Sequence, residues 1–258
     1  KNFLEENMNL PFTQQQFIQV FAEYNQAIWP IQIILYSAAA VILAAMWRKT
    51  KAAGMLVSGI LAGYWIWMGA VYHIGFFRPI NGAAVIFGSL FILQGALFIF
   101  SAIRNSLKIE IPFTFRGAIG FLFILYALGV YPLIGSLAGH IYPEAPLFGA
   151  APCPTTIFTF AIFLWARDKV PFYLIIIPFL WSLVGASAAF SLGIPEAYGL
   201  LAAGLIGTSI LVYRRFTIRG RACHYTRGRA KTRGLTWEHS DAALQRNKEQ
   251  EIAPFKMM

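Results

Sequence analysis

The feature that most limits what this chain can fold into is a succession of long apolar runs, most of them ended by basic residues. A helix needs about 20 mainly apolar residues to cross a hydrocarbon layer about 30 Å thick. Seven candidate crossings follow one another, at 29–47, 53–76, 82–103, 117–139, 154–166, 171–192 and 196–213. The fifth is short: its uninterrupted apolar part ends at Ala166, before Arg167, Asp168 and Lys169. Composition agrees with a chain dissolved in lipid. Hydrophobic residues make up 58% of the 258 and charged residues 12%, against about 25% charged in ordinary soluble domains. A single soluble globule is excluded, and the expected class is an all-α polytopic bundle of seven transmembrane helices.

Basic residues then set the orientation, because lysine and arginine gather in cytoplasmic loops. Arg48, Lys49 and Lys51 follow the first crossing, and Arg104, Lys108 and Arg116 separate the third from the fourth. Arg167 and Lys169 separate the fifth from the sixth, and Arg214 and Arg215 follow the seventh. The alternate loops hold only Arg78 among basic residues, so the N-terminus is expected outside and the C-terminus in the cytoplasm. The net charge of +10 is uneven: residues 214–258 carry +7 of it. That division suggests an N-terminal segment (1–28), a membrane domain (29–213) and a basic, disordered cytoplasmic tail (214–258). The tail arginines suit anionic lipid headgroups, at about 1 kcal/mol each near the surface. Nothing in the chain would present them to nucleic acid.

Thr13 and Gln16 have the spacing of a helix-capping box, and Phe17, Val20, Phe21, Tyr24 and Ile28 share one helical face opposite Gln14, Gln15, Gln19, Glu23 and Gln26. An amphipathic helix is expected there, either on the outer membrane surface or packed on the protein's own loops. No basic, then apolar, then small-residue pattern of a cleaved signal precedes the first crossing. Gly59 with Gly63, Gly185 with Ala189, and Gly199 with Ala203 and Gly207 form small-residue faces that allow close helix approach, within the chain, to a partner or to a second copy.

Chemistry is sparse. His73, His140, Cys153 and Glu196 all fall on the expected outer side. Histidine and cysteine ligate zinc or copper, and a Cys153–His140 pair would also serve as nucleophile and base. Pro154 suits the first helical position, which would place Cys153 at the helix cap, beside unpaired N–H groups that stabilise a thiolate; burial opposes that. Cys223, in the tail, lies across the membrane and cannot pair with it. A second reading makes the chain a passive facilitator for a small neutral solute, with Gln94, Trp181, Thr155 and Thr156 along the path. A third is a structural subunit. Gln94 reads first as an interhelical hydrogen-bond donor, and the absence of ionisable groups at mid-depth argues against ion-coupled transport.

Several segments taken together, Asn9-Leu-Pro-Phe-Thr13, Tyr24-Asn-Gln-Ala-Ile-Trp-Pro30, Tyr72-His73, Gly139-His140, Tyr142-Pro143 and Ala151-Pro-Cys-Pro-Thr-Thr156, resemble a family of bacterial multi-pass membrane proteins known only as a domain of unknown function. The resemblance covers about residues 8–213. It implies a bacterial inner-membrane location and brings no assigned activity or catalytic residue. The zinc hydrolases of the alkaline-ceramidase and adiponectin-receptor type carry histidines on their last helix; here that helix has none.

Overall fold

A computed structural model describes residues 10–48 and 50–216. Lys49, the first nine residues and the tail from residue 217, with Cys223 and most of its arginines, lie outside the described residues. The chain divides into two units, 1–211 and 212–258. Of the second, only 212–216 are described, and they are helical.

Every described element is helical, apart from one isolated bridge between Ile109 and Ala166. The helices are α1 (Gln14–Ala27), α2 (Ile31–Met46), α3 (Lys51–Phe77), α4 (Ala84–Arg104), α5 (Phe115–Leu137), α6 (Pro152–Leu164), α7 (Phe172–Leu192) and α8 (Pro195–Phe216). Five of them, α3, α4, α5, α7 and α8, are long and apolar enough to cross a membrane. The pair α1 and α2, bent by 88°, would make a sixth. Large apolar side chains stand exposed along these helices, among them Ile34, Ile86, Leu122, Ile176 and Leu205. Such a surface suits lipid and not water.

Helix α1 starts as its sequence demands. Thr13 Oγ1 accepts from the Gln16 N–H at 3.2 Å while Gln16 Oε1 accepts from the Thr13 N–H at 2.8 Å. Its glutamines and Glu23 face outward, and Val20, Phe21, Tyr24 and Ile28 are buried. The apolar face lies on the protein itself. Phe21 stacks on Tyr72 at 5.0 Å, and Phe12 meets Phe77 edge-on at 5.2 Å. Asn25, fully buried, donates its amide to the carbonyls of Pro143 at 2.6 Å and Ala145 at 2.8 Å. One side chain thus ties α1 to the loop between α5 and α6.

Helix α6 is the pillar of the bundle. Cys153 is partly buried, and the rest of its 13 residues are buried. A helix apolar on all sides belongs in the interior. It begins at Pro152 with Ala151 as its cap, two residues earlier than the sequence suggested, so Cys153 is the second helical residue and not the cap. Both Pro152 and Pro154 sit in the first turn, where an N–H has no helical acceptor to lose, and so the helix extends backward at no cost.

Loops collect at two ends. At one, the segment 108–110 lies beside 165–167: Glu110 N–H donates to the Trp165 carbonyl at 2.9 Å and Arg167 N–H to that of Lys108 at 2.8 Å. Lys108 pairs with Asp168 at 2.9 Å, and Arg116 donates to the Leu164 and Ala166 carbonyls at the end of α6. At the other end lie α1, the 78–83 loop, the 138–151 loop and the start of α8.

Two helices widen into turns with i→i+5 hydrogen bonds, Met68–Phe77 in α3 and Tyr126–Val130 in α5. Such turns gather at functional sites. The second immediately precedes Tyr131-Pro132, where the sequence predicts a kink. Among the small-residue faces, Gly185 abuts Leu200 and Trp181, Gly199 abuts Tyr126, and Gly207 abuts Phe160, so these faces pack within the bundle. Gly59 and Gly63 face open space. The closest helix-to-helix backbone approach at a glycine belongs to a pair the motif did not flag. A Cβ on Gly69 would stand 2.6 Å from the Gly88 carbonyl oxygen, and one on Gly88 2.7 Å from that of Gly69.

Candidate functional site

A cavity of about 140 Å³ lies at the end opposite the 104–116 loop. Phe12, Phe17 and Phe21 of the N-terminal segment wall one side, and Tyr72, His73 and Phe77 of α3 another. Tyr131 of α5, Cys153 of α6 and Trp181 of α7 face it as well. The wide turns of α3 bring two consecutive residues, Tyr72 and His73, to the same cavity. Its lining includes no Lys, Arg, Asp or Glu among the described residues.

His73 is the distinctive member. It is 0% exposed, and neither Nδ1 nor Nε2 has a hydrogen-bond partner. Its ring is boxed by aromatic rings: Phe91 at 4.7 Å, Tyr72 and Trp181 at 5.1 Å, Phe87 at 6.0 Å and Phe77 at 6.1 Å. Trp181 Nε1 is likewise buried without a partner. An unsatisfied buried polar group costs about 1–3 kcal/mol. Two such groups, with rings 5.1 Å apart, belong to residues that line one cavity.

Cys153 lines the same cavity, as does Tyr131. No Lys or Arg lines the cavity among the described residues, and Cys153 belongs to the first turn of α6.

His140 and Glu196 stand apart from this lining and with each other. His140 Nδ1 is 2.7 Å from Glu196 Oε1, and both side chains are nearly or wholly buried. Glu196 Oε2 has no partner, and the Glu196 backbone carbonyl accepts from the Tyr126 hydroxyl at 2.9 Å. The four candidate ligands thus separate: His73 and Cys153 line the cavity, and His140 bonds Glu196 outside that lining. Among the described residues no group of three or more His, Cys, Asp or Glu side chains is placed to hold a metal ion.

The path candidates also separate. Trp181 faces the cavity. Gln94 does not: its Nε2 donates to the Leu174 carbonyl of α7 at 3.1 Å. Thr155 Oγ1 accepts from the Gly149 N–H at 2.9 Å and donates to the Ala151 carbonyl at 2.8 Å, which fixes the loop entering α6. Thr156 Oγ1 is buried without a partner, and Thr156 does not line the cavity. Sequence reasoning did not single out Tyr72 as a site residue. Its adjacency to His73 was visible, but an ordinary helix turns neighbouring residues about 100° apart.

No curated protein and no solved structure matches the chain. A family model does, across residues 14–222. The chain belongs to DUF6064, a family of unknown function.

Proposed function

We propose that this is a multi-pass protein of a bacterial cell membrane whose seven helical segments, α2 to α8, carry the N-terminus outside and the C-terminus in the cytoplasm, and that its outer-end cavity binds a small neutral molecule. Several features support the topology. Arg48, Lys51, Lys108, Arg116, Arg167 and Lys169 all belong to loops and helix ends on one side of the bundle, the arrangement expected for a cytoplasmic face. Exposed Trp47 on that side, and exposed Trp29 and Tyr142 on the other, suit the two membrane interfaces.

The observation that carries the binding reading is His73, wholly buried at the cavity with both ring nitrogens unbonded. A neutral imidazole offers one donor and one acceptor, and the Trp181 indole offers one donor. A ligand with a hydroxyl satisfies them. An uncharged lining favours a neutral occupant, since a buried charge without a partner is strongly disfavoured. The volume is close to that of a cavity of about 150 Å³ that holds benzene.

Phenol is the matching probe. In purified full-length protein, millimolar phenol is expected to raise the Tm saturably, as a native-state ligand must. His73→Leu, and Ala188→Phe, which fills the cavity, should each abolish that rise. No rise in the unsubstituted protein, or an equal rise in all three, overturns the reading.

A further inference from the structure

We infer that the ligand of this cavity is a lipid-borne phenol: a neutral aromatic alcohol carrying an aliphatic chain, which enters sideways from the bilayer between α4 and α7. The inference rests on the cavity being a binding site, as proposed above, and names what the site takes and from where.

A second void, of about 50 Å³, adjoins the cavity and shares Phe87, Trp181 and Val184 with it. Its other walls include Leu90 of α4 and Leu180 of α7, and every lining residue is apolar or aromatic. Leu90, Leu180 and Val184 are 36%, 48% and 42% exposed on the flank that would face lipid. Cavity and crevice are therefore neighbours with a shared wall, and the crevice is lined by residues of the apolar flank. On the loop side the cavity is walled by Phe12, Phe17 and Phe21, so the apolar crevice is the route that needs no displacement of α1.

The chemistry at each end fits one class of molecule. The head must be small, since about 140 Å³ admits a single six-membered ring. It must be uncharged, and it should both donate and accept, because His73 has an unpaired nitrogen of each kind and Trp181 an unpaired N–H. A phenolic hydroxyl donates to the bare His73 nitrogen and accepts from an N–H. Phe87 and Phe91 each meet Trp181 edge-on, at 5.6 and 5.0 Å, the packing into which a further ring fits. Any chain on such a ring exceeds the cavity and finds its apolar surroundings in the crevice.

The test compares 4-octylphenol, phenol and 1-decanol as ligands of the full-length protein, by Tm titration in one detergent, with Ala188→Phe as the cavity-filled reference. We expect 4-octylphenol to act at a concentration at least tenfold below phenol and to outperform 1-decanol. His73→Leu should lose the response to both phenols; His73→Gln, which keeps a donor and an acceptor, should retain it within about tenfold and guards against a variant that fails to fold. Leu90→Trp or Leu180→Trp, at positions that line the crevice and not the cavity, should weaken 4-octylphenol at least tenfold and leave phenol unchanged. If phenol responds through His73 but the octyl chain adds nothing, or the plugs have no effect, lateral entry is overturned while the binding site stands. If 1-decanol equals 4-octylphenol, the aromatic head is overturned. If phenol itself fails, the site falls first.

Discussion

Gln94 on α4 donates its side-chain amide to the Leu174 carbonyl on α7, the carbonyl that Pro178, four residues on, cannot serve. Proline has no N–H, so its place inside α7 leaves one backbone acceptor open, and in lipid no water is at hand to fill it. A polar residue at mid-depth is thus explained by a proline on the neighbouring helix.

Gln94→Leu should therefore destabilise the protein by about 1 kcal/mol, the scale of interhelical hydrogen bonds in membranes. In a Pro178→Ala background the loss should shrink, because the N–H that this substitution restores would bond the Leu174 carbonyl along the helix. Unfolding titrations of the four proteins give the coupling directly. Equal losses in both backgrounds would refute the pairing.

His140 and Glu196 make a buried pair across 56 residues of sequence. Removing either partner strands the other away from water, at a cost of about 3–5 kcal/mol. His140→Ala and Glu196→Ala should each lower the Tm strongly, and the double variant should be less damaged than the sum of the two. Strictly additive losses would show that the contact contributes nothing.

Phe17 and Phe21, which meet edge-on at 5.1 Å, wall the cavity that Cys153 also faces. Aromatic contacts of this kind contribute about 0.5–1.5 kcal/mol each, or about two- to tenfold in an opening equilibrium. In a Cys223→Ser background, maleimide labelling of Cys153 should accelerate by that factor in Phe21→Ala. The rate should slow again when phenol is present. A rate indifferent to both changes would mean that α1 does not cover the thiol.

Gly69 and Gly88 let α3 and α4 touch backbone to backbone, with no room for a methyl group on either. Gly69→Ala or Gly88→Ala must push the helices apart, and overpacking of this sort costs about 1–3 kcal/mol. Gly59→Ala and Gly63→Ala face open space and should change the unfolding midpoint hardly at all. A reversed ranking would overturn the assigned packing.

The amphipathic face of α1, its Thr13–Gln16 cap and most helix boundaries were legible because they follow from local spacing and from where basic residues stop an apolar run. The short fifth segment was visible too, though its near-complete burial was not: a mainly apolar run reads the same in lipid and in protein. The separation of His140 and Glu196 from His73 and Cys153 was hidden for a different reason. His140 and Glu196 approach only because α5 and α8 are neighbours, and no periodicity in one chain reports which helices touch. Tyr72 beside His73 was on the page, but its presence at the same cavity depends on widened turns that no residue pattern announced. Gly59 and Gly63 matched a familiar motif, while the tighter Gly69–Gly88 contact, spread over two helices, matched none.

The burial of α6 bears on how the protein is made. Thirteen residues are too few to sit stably across a bilayer alone, and helices that insert separately must each be stable in lipid before they associate. Helix α6 therefore has no independent existence during synthesis. In the folded protein the Arg116 guanidinium bonds the carbonyls at the end of α6, and the 108–110 segment lies paired with 165–167. The cavity, one wall of which is the first turn of α6, is consequently complete only when α6 is in place.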